Sequence, residues 1–323
     1  MLGSLLELPD GYTMEMDSDV FVLRRHDGSM VGAFSARGAV LEDVLRVVEE
    51  IDRPGTPDGC PEEVRERSFL RVCFFGHFEM FCGDEPVHLG RNGKALTILK
   101  YLLAQKTRPV SQDHLMGWLW PDSNLKKARW SLNSAIHGLR KLLAGCPSAP
   151  SGVRYVLLEE GYYRLGPDVR VVTDVEEFDG HYGRGRRLEA AGRIEEANEA
   201  YERAVGLHRG DYLVEDLYED WTMVERERLA NAYVDMLDRL AANYMETGRL
   251  RESIGACYRA LGKDRCHENS HRLLMACYAR MGQKGRAIRQ YRLCERVLAQ
   301  QYGAYPSPET RFVYQGLLDN EGY

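Results

Sequence analysis

The chain has 323 residues, of which 44% are hydrophobic and 28% are charged, and its formal net charge at pH 7 is −6. This is the composition of a globular protein with room for two or three domains, each with its own core. No stretch approaches about 18 consecutive apolar residues, and the first residues carry no basic segment, so neither a membrane span nor a secretory signal is expected. Eight scattered cysteines without a CxxC pair favour reduced thiols and a cytoplasmic location.

Charge is unevenly distributed along the chain. Residues 1–67 carry a net charge of −8, residues 68–172 a net charge of +6, and residues 173–323 a net charge of −4. A basic segment between acidic flanks indicates that the middle of the chain binds a polyanion.

The first predicted domain, residues 1–51, is a small acidic α/β module to which the sequence assigns no role. Val20–Arg24 and Met30–Ser35 have the composition of strands, and His26–Gly28 between them predicts a tight turn. Ala39–Ile51 alternates apolar and acidic residues at helical spacing. Residues 52–67 contain three prolines and two glycines and predict a linker.

Residues 68–172 predict a winged helix-turn-helix domain that binds DNA. Short strands with a turn at Gly83–Asp84 precede three helices, and a hairpin that turns at Glu159–Gly161 closes the domain. Ser111 is a suitable N-cap for the second helix. In such a domain the third helix enters the major groove and the hairpin forms the wing. The predicted helices are Lys94–Gln105, Gln112–Trp120 and residues 124–143.

The third helix carries five basic residues between positions 124 and 141 and no acidic residue. At 100° per residue its apolar side chains share one face. These are Leu125, Ala128, Leu132, Ala135, Ile136, Leu139 and Leu143. The opposite face holds Lys126, Lys127, Trp130, Asn133, Ser134, His137 and Lys141, with Arg129 and Arg140 at its borders. Taken alone, this helix could be a solvated basic face, but its winged-helix surroundings favour contact with double-stranded DNA.

Each residue type on this face suggests a role. Lysines suit phosphates, whereas Asn133 and His137, one turn apart, suit base edges, with Arg129 or Arg140 for guanine or phosphate. Trp130 could contact a sugar or a thymine methyl, but packing against Trp118 or Trp120 is favoured. Glu159 and Glu160 at the wing tip would repel phosphates. Contact of the wing with phosphates could instead come from Arg154 or Arg164 at the hairpin base. The DNA-binding residues predicted are Lys126, Lys127, Arg129, Trp130, Asn133, Ser134, His137, Arg140, Lys141 and Arg154.

Residues 173–323 predict an all-α domain of tetratricopeptide-like (TPR-like) repeats. Gly248 and Gly282 lie 34 residues apart, which is the TPR period. Counted from each glycine, small and bulky residues recur at matching positions, and Gly192 begins the second half of an earlier unit, separated by an insertion of about 22 residues. The repeated positions are Ala197, Tyr201 and Ala204; Leu237, Ala241, Tyr244, Ser253, Cys257 and Ala260; and His271, Met275, Tyr278, Ala287, Tyr291 and Cys294.

Four segments together resemble SARP-type transcriptional activators, which join an OmpR-like winged helix to a bacterial transcriptional activation domain. They are ARWSLNSAIHGLRKLL (128–143), GDYLVEDLYEDWTMVERERL (210–229), HENSHRLLMACYARMGQKGRAIRQYRLCERVL (267–298) and YGAYPSPET (302–310). The resemblance implies an activator that binds promoter direct repeats as side-by-side protomers and recruits RNA polymerase. It does not extend to residues 1–67. The fold expected is mainly α with a small α+β part.

Other classes of function have less support in the sequence. No catalytic motif is present, so an enzyme is not expected. The cluster of Cys257, Cys266, His267, His271 and Cys277 matches no zinc template, and Gly90–Lys94 fails the P-loop template, so neither a metal nor another cofactor is expected. Two alternatives stay open: a TPR-type protein-interaction scaffold whose winged helix does not bind DNA, and a regulator that senses a ligand through residues 1–51 or the repeats.

Overall fold

The computed structural model describes residues 12–17, 20–25, 30–35, 68–90, 93–106, 108–145, 154–167 and 169–319. The chain divides into two compact units, Met1–Arg65 and Glu66–Tyr323. No helix within the described ranges combines the length and the apolar character that crossing a bilayer requires.

The first unit contains a three-stranded antiparallel sheet in the order β1–β2–β3. Its strands are Tyr12–Asp17, Val20–Arg25 and Met30–Ser35. The two predicted strands are confirmed, and β1 is an additional strand that the sequence pattern did not predict. The predicted turn at 26–28, the predicted helix at 39–51 and the predicted linker at 52–67 lie outside the described residues.

The second unit begins with the winged helix-turn-helix that the sequence predicts. The strands are β4 (Ser68–Cys73), β5 (Glu79–Cys82), β6 (Glu85–Pro86), β7 (Val110–Ser111), β8 (Val156–Glu159), β9 (Tyr162–Leu165) and β10 (Val169–Thr173). One sheet has the order β10–β4–β5–β6, with β10 parallel to β4 and the other pairs antiparallel, and a second has the antiparallel order β7–β9–β8. The helices are α1 (Gly93–Gln105), α2 (Gln112–Leu119) and α3 (Leu125–Ala144).

Local signals place α2 and α3. The Ser111 hydroxyl accepts a hydrogen bond of 3.2 Å from the backbone N–H of Asp113, and α2 ends just before Pro121. Asn124 caps α3 by accepting from the N–H of Lys127 at 2.9 Å.

The apolar face of α3 packs in the core, with one exception. Ala128, Leu132, Ile136, Leu139 and Leu143 are buried, in contact with α1 and α2, and Ala135 is half-buried. The prediction that Leu125 is buried was wrong, because its side chain is 77% exposed. Leu125 is the first residue of the helix and lies one turn ahead of Ala128, where contact with the core begins.

Seven α-helices follow within residues 174–319, and their pairing confirms the TPR-like prediction. Gly192, Gly248 and Gly282 lie in the turns between paired helices, with φ angles of 75°, 77° and 70° that favour glycine. Every residue predicted at the repeated small and bulky positions is buried. The helices are α4 (Asp174–Ala190), α5 (Ile194–Leu207), α6 (Asp220–Glu246), α7 (Leu250–Lys263), α8 (Glu268–Arg280), α9 (Lys284–Tyr302) and α10 (Pro308–Asp319).

The segment between α5 and α6 joins the repeats to the winged helix. Leu213 donates its N–H to the carbonyl of Phe74 at 2.9 Å, and the rings of Phe74 and Tyr212 stack with centroids 5.3 Å apart. The predicted boundary at residues 172/173 falls where β10 passes directly into α4. The domain boundaries themselves stay predictions.

His208, at the end of α5, links the two parts through aromatic contacts. Its ring lies 4.0 Å from the ring of Tyr233 and 4.9 Å from that of Phe75, measured between centroids. Burial lowers the pKa of His208 from its ordinary 6.5 to about 4, and the nearby Lys263 ammonium adds to this effect.

We expect the protonation of His208 to destabilise the fold in acid. Because the pKa is lower in the folded state, the stabilisation is complete above about pH 6.5 and is lost as the pH falls towards 4. Allowing for partial exposure, this loss should be about 2 kcal/mol of unfolding free energy. Urea denaturation at several pH values should show a shallower acid loss for His208→Phe than for the wild type. The matched control is His88→Phe at an exposed position, which should lose stability in acid as the wild type does. If the unfolding free energy of His208→Phe fell with pH as steeply as that of the wild type, the assignment would be contradicted.

Candidate nucleic-acid interface

The polar face of α3 is exposed to solvent along its whole length. Each of the nine side chains predicted on this face or its borders is exposed: Lys126, Lys127, Arg129, Trp130, Asn133, Ser134, His137, Arg140 and Lys141. Within the described part of the chain, only Arg140 among them uses its side chain in a hydrogen bond or ion pair. Four cations and the polar groups of Asn133, Ser134 and His137 are therefore available to a ligand.

Trp130 does not pack as the sequence interpretation favoured. Its side chain is 72% exposed, so the prediction of contact with Trp118 or Trp120 was wrong. The ring of Trp118 instead lies 5.1 Å from that of Tyr101 and 6.3 Å from that of Trp221, a residue of α6. The Trp130 ring lies on the solvent side of α3, on the same face as Lys126 and Lys127.

The wing is a β-hairpin with a two-residue turn. Glu160 and Gly161 both have positive φ angles, 50° and 84°, as a type I′ turn requires. The hairpin is held against α2, because Gly161 accepts from the N–H of Gln112 at 2.9 Å. Arg140 of α3 donates its Nε to the carbonyl of Val156 at 3.1 Å. Helix α3 and the wing are therefore fixed relative to each other.

Charges on the wing are partly compensated. The guanidinium of Arg164 makes two hydrogen bonds of 2.9 Å to the carboxylate of Glu159. Arg164 is thus engaged, whereas Arg154 is exposed and has no side-chain partner among the residues described. Glu160 keeps an unpaired carboxylate at the tip, again within the described residues.

A buried lysine that the sequence analysis missed holds the winged helix against the repeats. Lys100 of α1 donates from Nζ to Glu215 at 3.0 Å and to Asp216 at 2.6 Å. Burial opposes ionisation of Glu215, but the N–H of Phe78 and the Lys100 ammonium lower the pKa of this carboxylate below its ordinary value. The sequence did contain a signal for this ion pair: Lys100 lies three residues before Leu103, on the apolar face of α1, where a charged side chain needs a buried partner.

Asp174 forms a second junction between the two parts. As the first residue of α4, it accepts the N–H groups of Phe74 at 2.8 Å and Phe75 at 2.9 Å. Burial raises the pKa of this carboxyl, and the two N–H donors act in the opposite direction. The chain segment after β4 is thereby bound to the start of the repeats.

Comparisons with known proteins relate this arrangement to transcriptional regulators. Residues 173–318 match the family described as bacterial transcriptional activator domain. The transcriptional regulatory protein EmbR of Mycobacterium tuberculosis is 29% identical over 253 residues, which are 75% of this chain and 62% of that protein. The transcriptional regulatory protein MoaR1 of the same organism is 26% identical over 227 residues, covering 70% of this chain and 72% of the relative.

A solved structure supports the same relationship. The structure of M. tuberculosis EmbR in complex with a low-affinity phosphopeptide matches with a TM-score of 0.65 and 25% identity, over 79% of this chain and 66% of that one. This chain therefore spans less than two thirds of the EmbR length. The matches confirm the resemblance to SARP-type transcriptional activators and the predicted fold class.

Replacing Glu160 by asparagine should stabilise the protein. Asparagine adopts the left-handed conformation of this turn at lower cost than glutamate and is preferred before glycine in type I′ turns. We expect Glu160→Asn to raise the unfolding free energy by about 0.5 kcal/mol, measured by urea denaturation. The control, Glu159→Asn, removes the partner of Arg164 and should give no gain. A loss of stability in Glu160→Asn would contradict the turn assignment.

Proposed function

We propose that this chain, which resembles SARP-type transcriptional activators, is a DNA-binding transcription regulator whose helix α3 enters the major groove. The observation that carries the proposal is the exposed, largely unpaired cationic face of α3 on a net acidic chain. A winged helix presents its third helix in this way, and the groove has the width of one helix. The activator domain that follows explains why such a platform would be coupled to helical repeats.

The side chains of α3 divide into two groups of contacts. Lys126, Lys127 and Lys141 are long and exposed, and they suit phosphates on either side of the groove. Asn133 and His137 are exposed in the middle of the helix, one turn apart, and they suit base edges. Ser134, Arg129 and Arg140 border this central pair, and the exposed Trp130 ring is free to contact a sugar or a thymine methyl.

Contact by the wing would come from its base. The Glu160 carboxylate at the tip repels phosphates, and Arg164 is neutralised by Glu159. Arg154 is therefore the wing cation that we assign to the DNA phosphates beside the groove.

We propose a role for the repeats from the family match. A bacterial transcriptional activator domain over residues 173–318 supports activation and the recruitment of RNA polymerase. The resemblance further supports binding as side-by-side protomers on direct repeats. In the alternative, a protein-interaction scaffold, the chain would not bind DNA at any salt concentration.

The phosphate contacts can be tested by their salt dependence. After footprinting on the DNA that flanks its coding sequence, fluorescence anisotropy should give dissociation constants on the protected site and on random DNA at several salt concentrations. Lys127→Gln should flatten the slope of log K against log salt by about 0.9 on both DNAs, because one phosphate contact is lost. The control is Arg251→Gln, an exposed residue of α7. Absence of binding to either DNA would favour the scaffold.

Asn133→Ala tests base readout with the same assay. Its affinity for the protected site should fall by about tenfold to a hundredfold while its affinity for random DNA is retained, because a base-edge contact discriminates by about 1–3 kcal/mol. The salt slope should not change. An equal loss on both DNAs would contradict the assignment of Asn133 to base readout.

A further inference from the structure

Apolar and acidic side chains cluster where the segment between α5 and α6 meets α6, and all of them are exposed except Glu219, which is half-buried. We call it the acidic patch, and it consists of Leu217, Tyr218, Glu219, Asp220, Met223, Val224 and Glu227. Tyr218 is 97% exposed and Val224 is 80% exposed. Asp220, Met223, Val224 and Glu227 have the spacing i, i+3, i+4, i+7 and share one stripe of α6. Apolar side chains grouped in this way on a surface mark an interaction site.

Three carboxylates of the acidic patch have no ion-pair partner among the residues that the structure describes. Other acidic groups nearby are occupied, since Glu215 and Asp216 bind Lys100, and Glu225 binds Arg228. Glu219, Asp220 and Glu227 make no ion pair within the described part of the chain. Their charges are therefore available to a cationic partner.

The backbone beneath the acidic patch is held rigidly. Arg226 donates to the carbonyl oxygens of Tyr212 at 3.0 Å and of Asp216 at 3.1 Å. The Thr222 hydroxyl donates to the carbonyl of Glu219 at 2.8 Å. An interaction with this patch would lose little conformational entropy, because the backbone is already ordered.

A surface of opposite charge lies on α7, α8 and α9. We call it the basic pocket, a cavity of about 390 Å³ lined by Tyr258, Tyr278, Arg286, Arg289, Gln290 and Leu293. The hydroxyls of Tyr258 and Tyr278 share a hydrogen bond of 2.8 Å at its wall. Gln290 is held by His271, with Nε2 and Nδ1 2.6 Å apart.

The rim of the basic pocket is cationic although residues 173–323 are net acidic. Helix α9 contains five basic residues and one acidic residue, Glu295. Arg286, Arg289 and the adjacent Arg292 are exposed, and among the residues described none of them pairs with a carboxylate. An aromatic cavity with this rim suits an aromatic side chain that is flanked by carboxylates.

We propose that the acidic patch of one protomer docks into the basic pocket of a second copy of this chain, with the Tyr218 ring entering the cavity. The free carboxylates of the patch then face the arginines of α9. Both surfaces come from the same chain, and they complement each other in charge and in apolar content. This inference rests on the proposed function, because the assembly forms on DNA that carries adjacent binding sites.

The contact also has the symmetry that direct repeats need. Two different surfaces meet, so the contact is head-to-tail and the same operation repeats from each protomer to the next, as it does along direct repeats. A two-fold contact, in which one surface meets itself, would instead match inverted half-sites.

Charge reversal in the full chain tests the proposal. The first variant, Asp220→Arg with Glu227→Arg, reverses the acidic patch; the second, Arg286→Glu with Arg289→Glu, reverses the basic pocket. On duplexes with one or two protected half-sites, each variant should lose about tenfold in cooperativity and keep its single-site affinity. Combining all four substitutions restores opposite charges and should restore cooperativity. Arg251→Glu, at an exposed position of α7 outside the basic pocket, is the control for the effect of adding an acidic charge to the repeats.

Sedimentation equilibrium without DNA gives an independent readout. The wild type should self-associate in low salt, each reversal should weaken this association, and the combined variant should recover it. Cooperativity and self-association that neither reversal changes would overturn the proposal. So would a loss of single-site affinity with a flatter salt slope in the Arg286→Glu/Arg289→Glu variant, because those arginines would then contact DNA. If no DNA is bound, only the proposed function fails, and self-association still decides the contact.

Discussion

The buried ammonium of Lys100 is the interaction on which the arrangement of the second unit depends. Lys100 is 3% exposed, and its partners Glu215 and Asp216 both come from the insertion that precedes α6. A buried ammonium without its carboxylates costs about 3–5 kcal/mol. Separating the winged helix from the repeats would therefore be opposed even before any apolar contact is lost. The carboxylates also restrict where α1 can lie, since both must reach a single Nζ.

The insertion, the segment between α5 and α6, connects the winged helix to the repeats. Arg226 holds the insertion by donating to its backbone carbonyls. Asp174 binds the N–H groups of Phe74 and Phe75, and Phe74 in turn contacts Tyr212 and Leu213 of the insertion. Helix α3 packs on α1, and the wing is hydrogen-bonded to α3. The position of Lys100 on α1 therefore determines where α3 and the wing lie relative to the repeats. A contact made by the repeats would thus reach α3 as a rigid-body constraint, without any conformational change.

Periodic patterns made much of this structure predictable. The 34-residue spacing of Gly248 and Gly282 placed the buried positions of the repeats, because each repeat packs in the same way as the next. The exposed face of α3 followed from its angular spacing. Three features did not follow, namely the exposure of Leu125, the exposure of Trp130 and the pairing of Lys100. Each depends on which distant element lies nearby. For Leu125 these are α1 and α2, and for Lys100 it is the insertion. For Trp130 it is the surroundings of its predicted partner Trp118, whose ring contacts Trp221.

The distribution of charge gives each surface a different range of partners. Net negative charge on residues 173–323 disfavours contact of the repeats with phosphates, whereas the cations of α3 have no carboxylate among their helical neighbours. Helix α9 departs from this pattern, because its arginines also lack carboxylate partners within the described residues. Two cationic surfaces on one chain would compete for DNA unless one of them is occupied. An acidic surface on a neighbouring protomer would fill that role, and the orientation of α3 on the duplex would then be determined by α3 and the wing alone.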